Sequence, residues 1–411
     1  MSIQEDDVNK ERIVDQLLNR VVDRVDVHYV EALCKEFISI PSPNPPGDVV
    51  AMAERFEQEL RRLGINDIQI VEPEKGRRNV IGTFGNGNGP TISLYAHLDV
   101  VPIREEEQGQ WETPPLEPAV KDGRIYGRGA ADTKGGLASM LGAAKALLEE
   151  GIDLPGKVVL IGAADGEVGD LLGIKYLEEK GYLQPGSVIA CEPSALQVIR
   201  VFKGRVWFQV DVKGKAVHAS VPQEGINAIN KMIKVVDVIS NAKLRHEPHP
   251  LLGKSTLTFS TINGGTVPNA VAGHCKATFD VRVVPSQTVE GIRMELQAAL
   301  DELQRQDPEL EVSLSILPGA GRESVETPED STIVRAVTEA YRYVMGEEPV
   351  FGAGIESPGA LFHFARIGAQ GVFFGPGAIR QAHLANEYVE LSRLHAAPKL
   401  YAATILNVLA S

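Results

Sequence analysis

The order in which strand and helix patterns follow one another is the feature that most limits how this 411-residue chain can fold. Up to about residue 200, short apolar runs typical of strands alternate with segments whose apolar residues recur three and four positions apart, as on one face of a helix. This alternation predicts an α/β fold, a mostly parallel sheet with helices on both faces. The predicted strands are 68–71, 79–83, 91–95, 157–163 and 187–190, and the predicted helices are 9–37, 49–63 and 135–149.

The pattern changes after residue 200. Strand, helix, strand, strand, helix and strand then follow one another, which is the order of a ferredoxin-like domain; they are predicted at 201–212, 225–241, 256–262, 273–284, 286–306 and 310–316. Near residue 331 the larger pattern resumes, with a helix to about 344, a strand at 371–374 and a terminal helix from 392. We therefore predict one larger domain in two parts, 1–200 and 318–411, with an α+β domain inserted at 201–317.

Composition excludes several kinds of partner. A formal net charge of −14 argues against binding to nucleic acid or to an anionic membrane surface. No apolar run reaches the length of about 18 residues that predicts a membrane-spanning helix, and the acidic N-terminal stretch does not resemble a signal peptide. We therefore expect a cytoplasmic protein, whose three widely spaced cysteines are buried free thiols rather than disulfides or zinc ligands.

Side chains that could bind metal lie at the ends of predicted strands. His97 and Asp99 follow the strand 91–95 and, being two residues apart, face the same side of the chain. A histidine that binds a metal ion usually has a carboxylate beside it that orients its ring, although a surface histidine and aspartate that close a strand would give the same pattern. Asp132, with three glycines before it and two after it, precedes the helix 135–149 and could instead be a helix cap.

Three further segments supply the same kinds of side chain. Glu167 follows the strand 157–163, Glu192 follows the strand 187–190, and His383 lies beyond the strand 371–374. Loops at the ends of strands are where α/β sheets bind their ligands. Nitrogen and oxygen ligands without a thiolate suit two zinc, cobalt or manganese ions that share a carboxylate. The sequence therefore predicts a site for two divalent ions.

In order and spacing, these segments resemble the dinuclear metallopeptidase family that includes aminoacylase, acetylornithine deacetylase, succinyl-diaminopimelate desuccinylase and carboxypeptidase G. The resemblance covers about residues 41–390, and Trp111 with Pro114 and Pro115 is similar to the family's lead-in to the aspartate segment. It implies a zinc-peptidase-like catalytic domain with an inserted ferredoxin-like domain that serves as lid and dimerisation domain. The implied activity is hydrolysis of a C–N bond in a small carboxylate-bearing substrate, with metal-bound water as the nucleophile.

The resemblance also implies a role for each residue of the metal site. One ion would be held by a first pair of ligands and the second ion by another pair, with one carboxylate bridging both; the pairs are His97 with Glu192 and Glu167 with His383, and the bridge is Asp132. Asp99 would orient the ring of His97. The implied cofactors are two divalent metal ions, zinc in the first place, with cobalt or manganese as alternatives.

The inserted domain carries a second similarity. His218, within the segment 213–228, is similar to the histidine of the family's small-domain motif, which polarises the substrate carbonyl, often across a dimer interface. The resemblance therefore implies a homodimer, although a surface histidine would otherwise be the simpler interpretation. Asn269 and Arg282 match positions that bind a substrate carboxylate or frame the cleft, but Arg282 could simply pair with Asp280 on the same face of its strand.

Two positions depart from the family pattern. The family has Asp-Glu-Glu where this chain has Asp165-Gly166-Glu167, and the missing glutamate is the base that takes the proton of the attacking water. General-base catalysis contributes roughly 10²–10⁴-fold to a rate, so we expect metal binding to persist and ordinary amide hydrolysis to be slow. In the loop 352–360, Ser357 matches a position that contacts substrate in the family, but the aspartate expected after it is replaced by Pro358.

Three hypotheses remain open. In the first, the protein hydrolyses a C–N bond, and Asp165, Glu356 or the substrate itself takes the proton. The bond could then be more activated than an ordinary amide, such as an amine leaving an electron-poor carbon. In the second, the protein is a catalytically inactive member of the family that binds a ligand or a partner. In the third, Gly166 is an accidental change in an ordinary peptidase or deacylase.

Overall fold

The computed structural model describes residues 16–169, 171–354 and 358–410. Among these residues two compact units form: the first contains the residues up to Arg200, Thr327–Gly352 and those from Gly359 on, and the second contains Val201–Glu326 and the described part of 353–358. The domain limits inferred from the sequence stay a prediction. No helix in the described part of the chain is long and apolar enough to cross a membrane.

The secondary structure follows the predicted alternation. In chain order the strands are β1 (Asp67–Val71), β2 (Asn79–Phe84), β3 (Thr91–His97), β4 (Ala119–Lys121), β5 (Arg124–Tyr126), β6 (Lys157–Ala163), β7 (Ser187–Ala190), β8 (Val198–Phe202), β9 (Gly204–Lys213), β10 (Thr256–Gly264), β11 (His274–Val283), β12 (Glu311–Ile316), β13 (Val325–Glu326), β14 (Phe351–Gly354), β15 (Gln370–Phe373) and β16 (Tyr388–Glu390). The helices are α1 (16–24), α2 (Val27–Ser39), α3 (Val50–Arg62), α4 (Gly135–Glu149), α5 (Ile174–Glu179), α6 (Ala228–Ser240), α7 (Val289–Gln306), α8 (Thr332–Met345), α9 (Ala360–Arg366) and α10 (Leu391–Ala410).

The first unit is built on a sheet whose central strands are parallel. Its strands run in the order β1-β2-β6-β3-β7-β15-β8. The pairs β6–β3, β3–β7 and β7–β15 are parallel, and antiparallel strands flank them on both sides. Apart from their first residues, β3 and β6 are buried along their whole length, as expected for strands covered on both faces. The predicted α/β fold is confirmed.

Helices α2, α4, α8 and α10 form the main core of this unit with the sheet. The helix α10 packs against α4 and α8, and α2 packs against α4. The predicted apolar face of α4 is fully buried, and it consists of Leu137, Met140, Leu141, Ala144 and Leu147. Its opposite face is buried as well, because the helix lies between other elements rather than at the surface. The three cysteines are free and buried, as predicted.

The second unit has an antiparallel sheet in the order β10-β11-β9-β12. Alternate residues of β9 and β11 are buried and form a core with the apolar residues of α6 and α7, because side chains along a strand point alternately to its two faces. The predicted order of strands and helices is confirmed. Strand β10 lies at the edge of this sheet, and most of its residues are exposed.

Two predicted elements differ in the structure. The helix predicted at 9–37 is two helices in its described part, separated at residues 25–26, and Asp26 accepts a hydrogen bond from Tyr29 N (3.1 Å) as the N-cap of α2; residues 9–15 lie outside the described part. The strand predicted at 201–212 is two strands, β8 and β9, which belong to different sheets. The small sheet β16-β5-β4 was not predicted.

Candidate metal centre

Three of the predicted ligands lie at one edge of the first unit's sheet. His97 is the last residue of β3, while Glu167 and Glu192 come shortly after the ends of β6 and β7. Because β6, β3 and β7 are adjacent parallel strands, their carboxyl ends meet at the same edge. Asp132 lies in the irregular turn Ala130–Lys134 ahead of α4, and His383 lies between β15 and β16.

The five side chains form two groups that share Asp132. In each group, one candidate ligand atom from every residue lies within 4.8 Å of the others; the groups are His97, Asp132, Glu192 and Asp132, Glu167, His383. His97 Nε2 is 3.0 Å from Asp132 Oδ1 and 3.8 Å from Glu192 Oε2. His383 Nε2 is 3.3 Å from Asp132 Oδ2 and 3.0 Å from Glu167 Oε2. Asp132 therefore offers one carboxylate oxygen to each group, as a bridging ligand would.

The charges of this cluster fit a bound cation. Burial by itself would lower the pKa of His97, but Glu192, Asp132 and Asp99 outweigh it and hold the pKa well above its usual value. Hydrogen bonds to Asp132 and Glu167 raise the pKa of His383 to about 10. In the metal-free protein both histidines therefore carry protons that balance the carboxylates, and divalent ions would replace those protons.

The ring of His97 is oriented by the backbone of Asp99. His97 Nδ1 lies 2.8 Å from the Asp99 carbonyl oxygen and 3.5 Å from its carboxylate. Because a carbonyl only accepts hydrogen bonds, Nδ1 carries a proton and Nε2 faces the ligand group. The Asp99 carboxylate instead accepts hydrogen bonds from Gly166 N (2.9 Å) and Glu167 N (3.2 Å). Asp99 thus joins the ligand strand to the turn that holds Gly166.

Gly166 is packed directly against His97. A Cβ atom built on Gly166 would lie 2.4 Å from His97 Cγ and 2.5 Å from His97 Cβ. Non-bonded carbon atoms prefer separations of about 3.5–4.0 Å, so no side chain fits at position 166 while His97 keeps this place. The difference from the family pattern is therefore more than a missing side chain, because the turn itself lies close to a candidate metal ligand.

The carboxylate of Asp165 belongs to a hydrogen-bond network on another side of the turn. Its Oδ1 accepts a hydrogen bond from Asn44 Nδ2 (2.9 Å) and lies 3.2 Å from Arg77 Nη1, while its Oδ2 accepts one from Leu172 N (3.3 Å). These contacts weigh against Asp165 as the proton acceptor of the first hypothesis. Glu356 and Ser357, which the sequence also singles out, lie outside the described residues.

A buried carboxylate to which the sequence analysis gave no role connects two ligand segments. Glu387 is 1% exposed, and its oxygens accept hydrogen bonds from the backbone N–H groups of Gly129 (3.0 Å), Ala131 (2.9 Å) and Asp132 (3.1 Å). It lies four positions after His383 in the same segment. Glu387 therefore holds the turn that carries Asp132, while Glu387 itself belongs to the segment that carries His383.

The same carboxylate belongs to a buried chain of charges. Arg128, itself 1% exposed, lies 2.9 Å from Glu387 Oε2 and 2.9 Å from Glu107 Oε2, and its guanidinium is 5.3 Å from the centre of the Trp111 ring. Burial raises the pKa of Glu387 to about 7, although Arg128 and the backbone donors oppose this rise. Trp111, noted in the sequence as part of a lead-in pattern, thus contacts this charge chain.

The predicted residues of the second unit lie in its exposed loops and sheet. His218 Nδ1 accepts a hydrogen bond from Ser220 N (3.2 Å), which leaves Nε2 to carry the ring proton. Ala219 N donates to Asn269 O (2.9 Å), so the His218 and Asn269 loops run side by side. Arg282 Nε donates to Asp280 Oδ1 (2.9 Å), which is the pairing that the sequence had left open.

Proteins with related sequences or folds include a deacetylase and two metal-binding peptidases. The model of Peptidase family M20/M25/M40 matches residues 93–407. The acetylornithine deacetylase of Myxococcus xanthus is 34% identical over 348 residues, which cover 83% of this chain and 84% of that protein. A similar fold occurs in the M20 family metallo-carboxypeptidase of Sulfolobus solfataricus, with a TM-score of 0.73 and 22% identity over 93% of this chain and 99% of that one. The Bacillus subtilis YXEP protein, a dinuclear metal binding peptidase, has a TM-score of 0.70 and 17% identity over 93% and 98% of the two chains.

Proposed function

The chain belongs to Peptidase family M20/M25/M40, and from this premise we propose that it uses two divalent metal ions to hydrolyse a C–N bond in a small carboxylate-bearing molecule. The named relatives include a deacetylase and a carboxypeptidase, which act on amide and peptide bonds. The observation that carries the proposal is the pair of three-residue groups that share Asp132. Two carboxylate-rich groups with one common ligand are what a two-metal hydrolase needs.

The proposed metal ligands are those that the family resemblance implies, and the two groups that share Asp132 support them. One ion would be held by His97 and Glu192 and the other by Glu167 and His383, and both would share Asp132. Imidazole and carboxylate donors without a thiolate suit zinc first, and cobalt or manganese next. When bound, such ions polarise a scissile carbonyl and activate a water molecule. The likeness to a peptidase described as dinuclear supports the number of ions.

The chain's own residues would then orient the ligands and the substrate. The Asp99 carbonyl accepts a hydrogen bond from the Nδ1 proton of His97 and so keeps Nε2 directed toward Asp132 and Glu192. His218, with its ring proton on Nε2, would donate a hydrogen bond to the substrate carbonyl oxygen. Asn269, Arg282 and Ser357 would bind the substrate carboxylate or frame the cleft. These roles are carried over from the family resemblance.

Proton transfer in this protein would follow a path that does not use a side chain at position 166. The carboxylate of Asp165 already accepts hydrogen bonds from Asn44 and Leu172. We therefore favour a substrate that takes the proton through its own basic group. A missing general base raises the barrier by roughly 3–5 kcal/mol, so a C–N bond more activated than an ordinary amide is the better substrate.

The proposal also includes a homodimer in the cytoplasm. Three free, buried thiols suit a reducing compartment. Strand β10 lies at the edge of its sheet in the described part of the chain and carries the exposed side chain of Ile262, so it would offer backbone groups to a second copy.

A metal and activity assay tests the proposed function. The metal-free protein is titrated with zinc, cobalt or manganese and then assayed against N-acetyl amino acids, dipeptides and activated aromatic amines. We expect two ions per chain and turnover of at least one substrate class. Asp132→Asn should abolish tight binding of both ions, whereas Asp153→Asn, a change at an exposed surface aspartate, should alter neither binding nor turnover. A wild-type protein that binds no divalent metal would overturn the site assignment.

A second candidate function is favoured by the close packing at Gly166. The protein would then be an inactive family member that binds a carboxylate-bearing ligand on its two metal ions. This hypothesis would be supported if the wild-type protein binds two ions but hydrolyses none of the three substrate classes. N-acetyl amino acids should then still raise its thermal midpoint in a metal-dependent way.

A further inference from the structure

We propose that Asn44 is a positioning residue of the metal centre, which acts by tying together the two buried aspartates that hold the Gly166 turn. This inference rests on the proposed metal-dependent function. Asn44 belongs to the turn-rich loop that precedes α3, in which the sequence indicates no metal ligand. Its effect on the ions would be exerted entirely through other residues.

The amide of Asn44 bridges Asp99 and Asp165. Asn44 is 3% exposed, and its Nδ2 donates to Asp99 Oδ2 (2.8 Å) and to Asp165 Oδ1 (2.9 Å). An amide nitrogen has two protons, so one side chain satisfies both carboxylates. The reverse orientation of the amide would place its oxygen against two anions, and the network therefore fixes which way Asn44 points.

The loop that carries Asn44 is paired to the segment that follows β3, the strand that ends in the ligand His97. Asn44 N donates to Val100 O (2.9 Å), and Val100 N donates to Ser42 O (2.9 Å). The side chain of Asn44 thus starts from a backbone that is paired to the chain just beyond His97. Its position does not depend on a flexible loop.

Arg77 completes the network with a positive charge. Its Nη1 lies 3.2 Å from Asp165 Oδ1 and donates to Asn44 Oδ1 (3.4 Å). A Cβ atom on Gly47, whose φ is +83°, would lie 1.0 Å from the same Nη1. Glycine at position 47 therefore leaves the space through which the guanidinium reaches the two side chains.

The network continues to the metal ligands through Asp99. The Asp99 carboxylate accepts hydrogen bonds from the backbone of Gly166 (2.9 Å) and of the ligand Glu167 (3.2 Å), and Gly166 packs on the ring of His97. Asp165, at the start of the same turn, has φ +61°, in the left-handed region that aspartate adopts more readily than most other residues with a side chain. Loss of Asn44 would remove one hydrogen bond from Asp99 and one from Asp165, and the turn would then hold Glu167 and His97 less firmly.

Two variants and a control test this role with cobalt(II), whose visible spectrum reports its ligand geometry. Asn44→Ala removes the amide, and Asn44→Asp keeps its shape but replaces the two-proton donor with a negative charge. We expect both to weaken cobalt binding by about 10–100-fold, the usual effect of a partner that orients ligands, and to change the spectrum of the bound ion. The control, Asn407→Ala, removes the hydrogen bond from Asn407 Nδ2 to Ala336 O and should lower the thermal midpoint only.

Asn44→Asp distinguishes a positioning role from a simple effect of charge. The added negative charge alone would attract cations and strengthen cobalt binding, whereas loss of positioning would weaken it. Tighter cobalt binding by Asn44→Asp would therefore overturn the proposal, and so would unchanged affinity and spectrum in Asn44→Ala. If Asn44→Asp does not fold, Asn44→Ala decides alone. A wild-type protein that binds no cobalt would remove the proposed function and this inference together, whereas normal wild-type binding with an unaffected Asn44→Ala variant would remove only the role of Asn44.

Discussion

Gly166 lies so close to His97 that a side chain at this position would displace a candidate metal ligand. The built Cβ atom is 2.4 Å from His97 Cγ, and overpacking of this kind typically costs about 1–3 kcal/mol. We expect Gly166→Ala to weaken metal binding by about tenfold or more. Gly166→Glu should do the same rather than restore fast hydrolysis of N-acyl amino acids.

The measurement is a metal titration of each variant followed by an assay on N-acetyl amino acids. Gly109→Ala is the matched control, because nothing lies within 4 Å of a Cβ atom built there. Fast hydrolysis by Gly166→Glu with normal metal affinity would contradict this expectation. It would support the hypothesis that Gly166 is an accidental change in an ordinary peptidase or deacylase.

Metal affinity should rise with pH, because protons and metal ions compete for the same ring nitrogens. Hydrogen bonds to Asp132 and Glu167 raise the pKa of His383 to about 10, so its ring is charged at neutral pH and must lose a proton to bind metal. For each proton displaced, affinity should increase by about tenfold per pH unit between pH 6 and pH 8. Calorimetric titration in buffers with different ionisation enthalpies counts the protons released, and a pH-independent affinity would argue against histidine ligands.

The candidate ligands were predictable from the sequence, while their supports were not. His97, Glu167 and Glu192 each follow an apolar run that reads as a strand, so their meeting at one sheet edge follows from topology. Asn44 meets Asp99 and Asp165 from 55 and 121 positions away, and no local pattern marks such a contact. The packing of Gly166 on His97 is equally a property of the folded chain.

Between elements, the loop before α4 and the segment before β16 are held together by one buried acid. Glu387 accepts three backbone hydrogen bonds from that loop and lies 2.9 Å from Arg128. In Glu387→Gln, an amide N–H group would face one of the backbone N–H donors of the loop. The buried ion pair with Arg128 would also be weakened. We expect the free energy of unfolding to fall by about 3 kcal/mol, which is the lower end of the usual cost of breaking a buried ion pair. The lower end applies because Arg128 would still be paired with Glu107.

Urea unfolding of the metal-free protein measures this loss, and cobalt titration shows whether binding at Asp132 weakens as well. Glu390→Gln serves as control, because Glu390 lies nearby on β16 and its partly exposed carboxylate is 3.4 Å from Arg393. A Glu387→Gln variant as stable as the control would show that the carboxylate does not hold the loop.

The same region shows why some elements were predicted and others were not. Strands such as β3 and β6 and helices such as α4 carry long, regular apolar patterns that a sequence reading detects. The strands β4, β5 and β16 have three residues each, too few for a period of two to stand out. They form because Val389 pairs with Ile125 across the chain, and both side chains are buried.

On the scale of the whole molecule, the first unit is complete only when both of its sequence parts are present. Strand β15, from the later part, pairs in parallel with β7 from the earlier part, and α10 packs against α4. The second unit has its own sheet and core. The α/β pattern that stops near residue 200 and resumes near residue 331 therefore predicted that two separate parts of the chain form one sheet. Such a sheet is possible because paired strands need not be neighbours along the chain.

Assembly of two chains should depend on the edge strand β10 of the second unit. Ile262 on this strand is 56% exposed, and Ile233 on α6 is 60% exposed. An exposed edge with apolar side chains favours pairing with another copy. We expect the wild-type protein to sediment as a dimer and Ile262→Lys to shift it toward the monomer, because a charge there would be buried without a partner.

Sedimentation velocity over a range of protein concentrations measures this shift, and urea unfolding checks that the monomer is still folded. Met294→Lys on α7 is the matched control, since Met294 is 60% exposed, close to the 56% of Ile262, but lies on a helix rather than on the sheet edge. It should leave the dimer intact. If the wild-type protein is a monomer, or if both variants dissociate equally, β10 is not the dimer interface. Dissociation by Ile262→Lys alone would assign assembly to the inserted domain's sheet edge, separately from the metal ligands of the first unit.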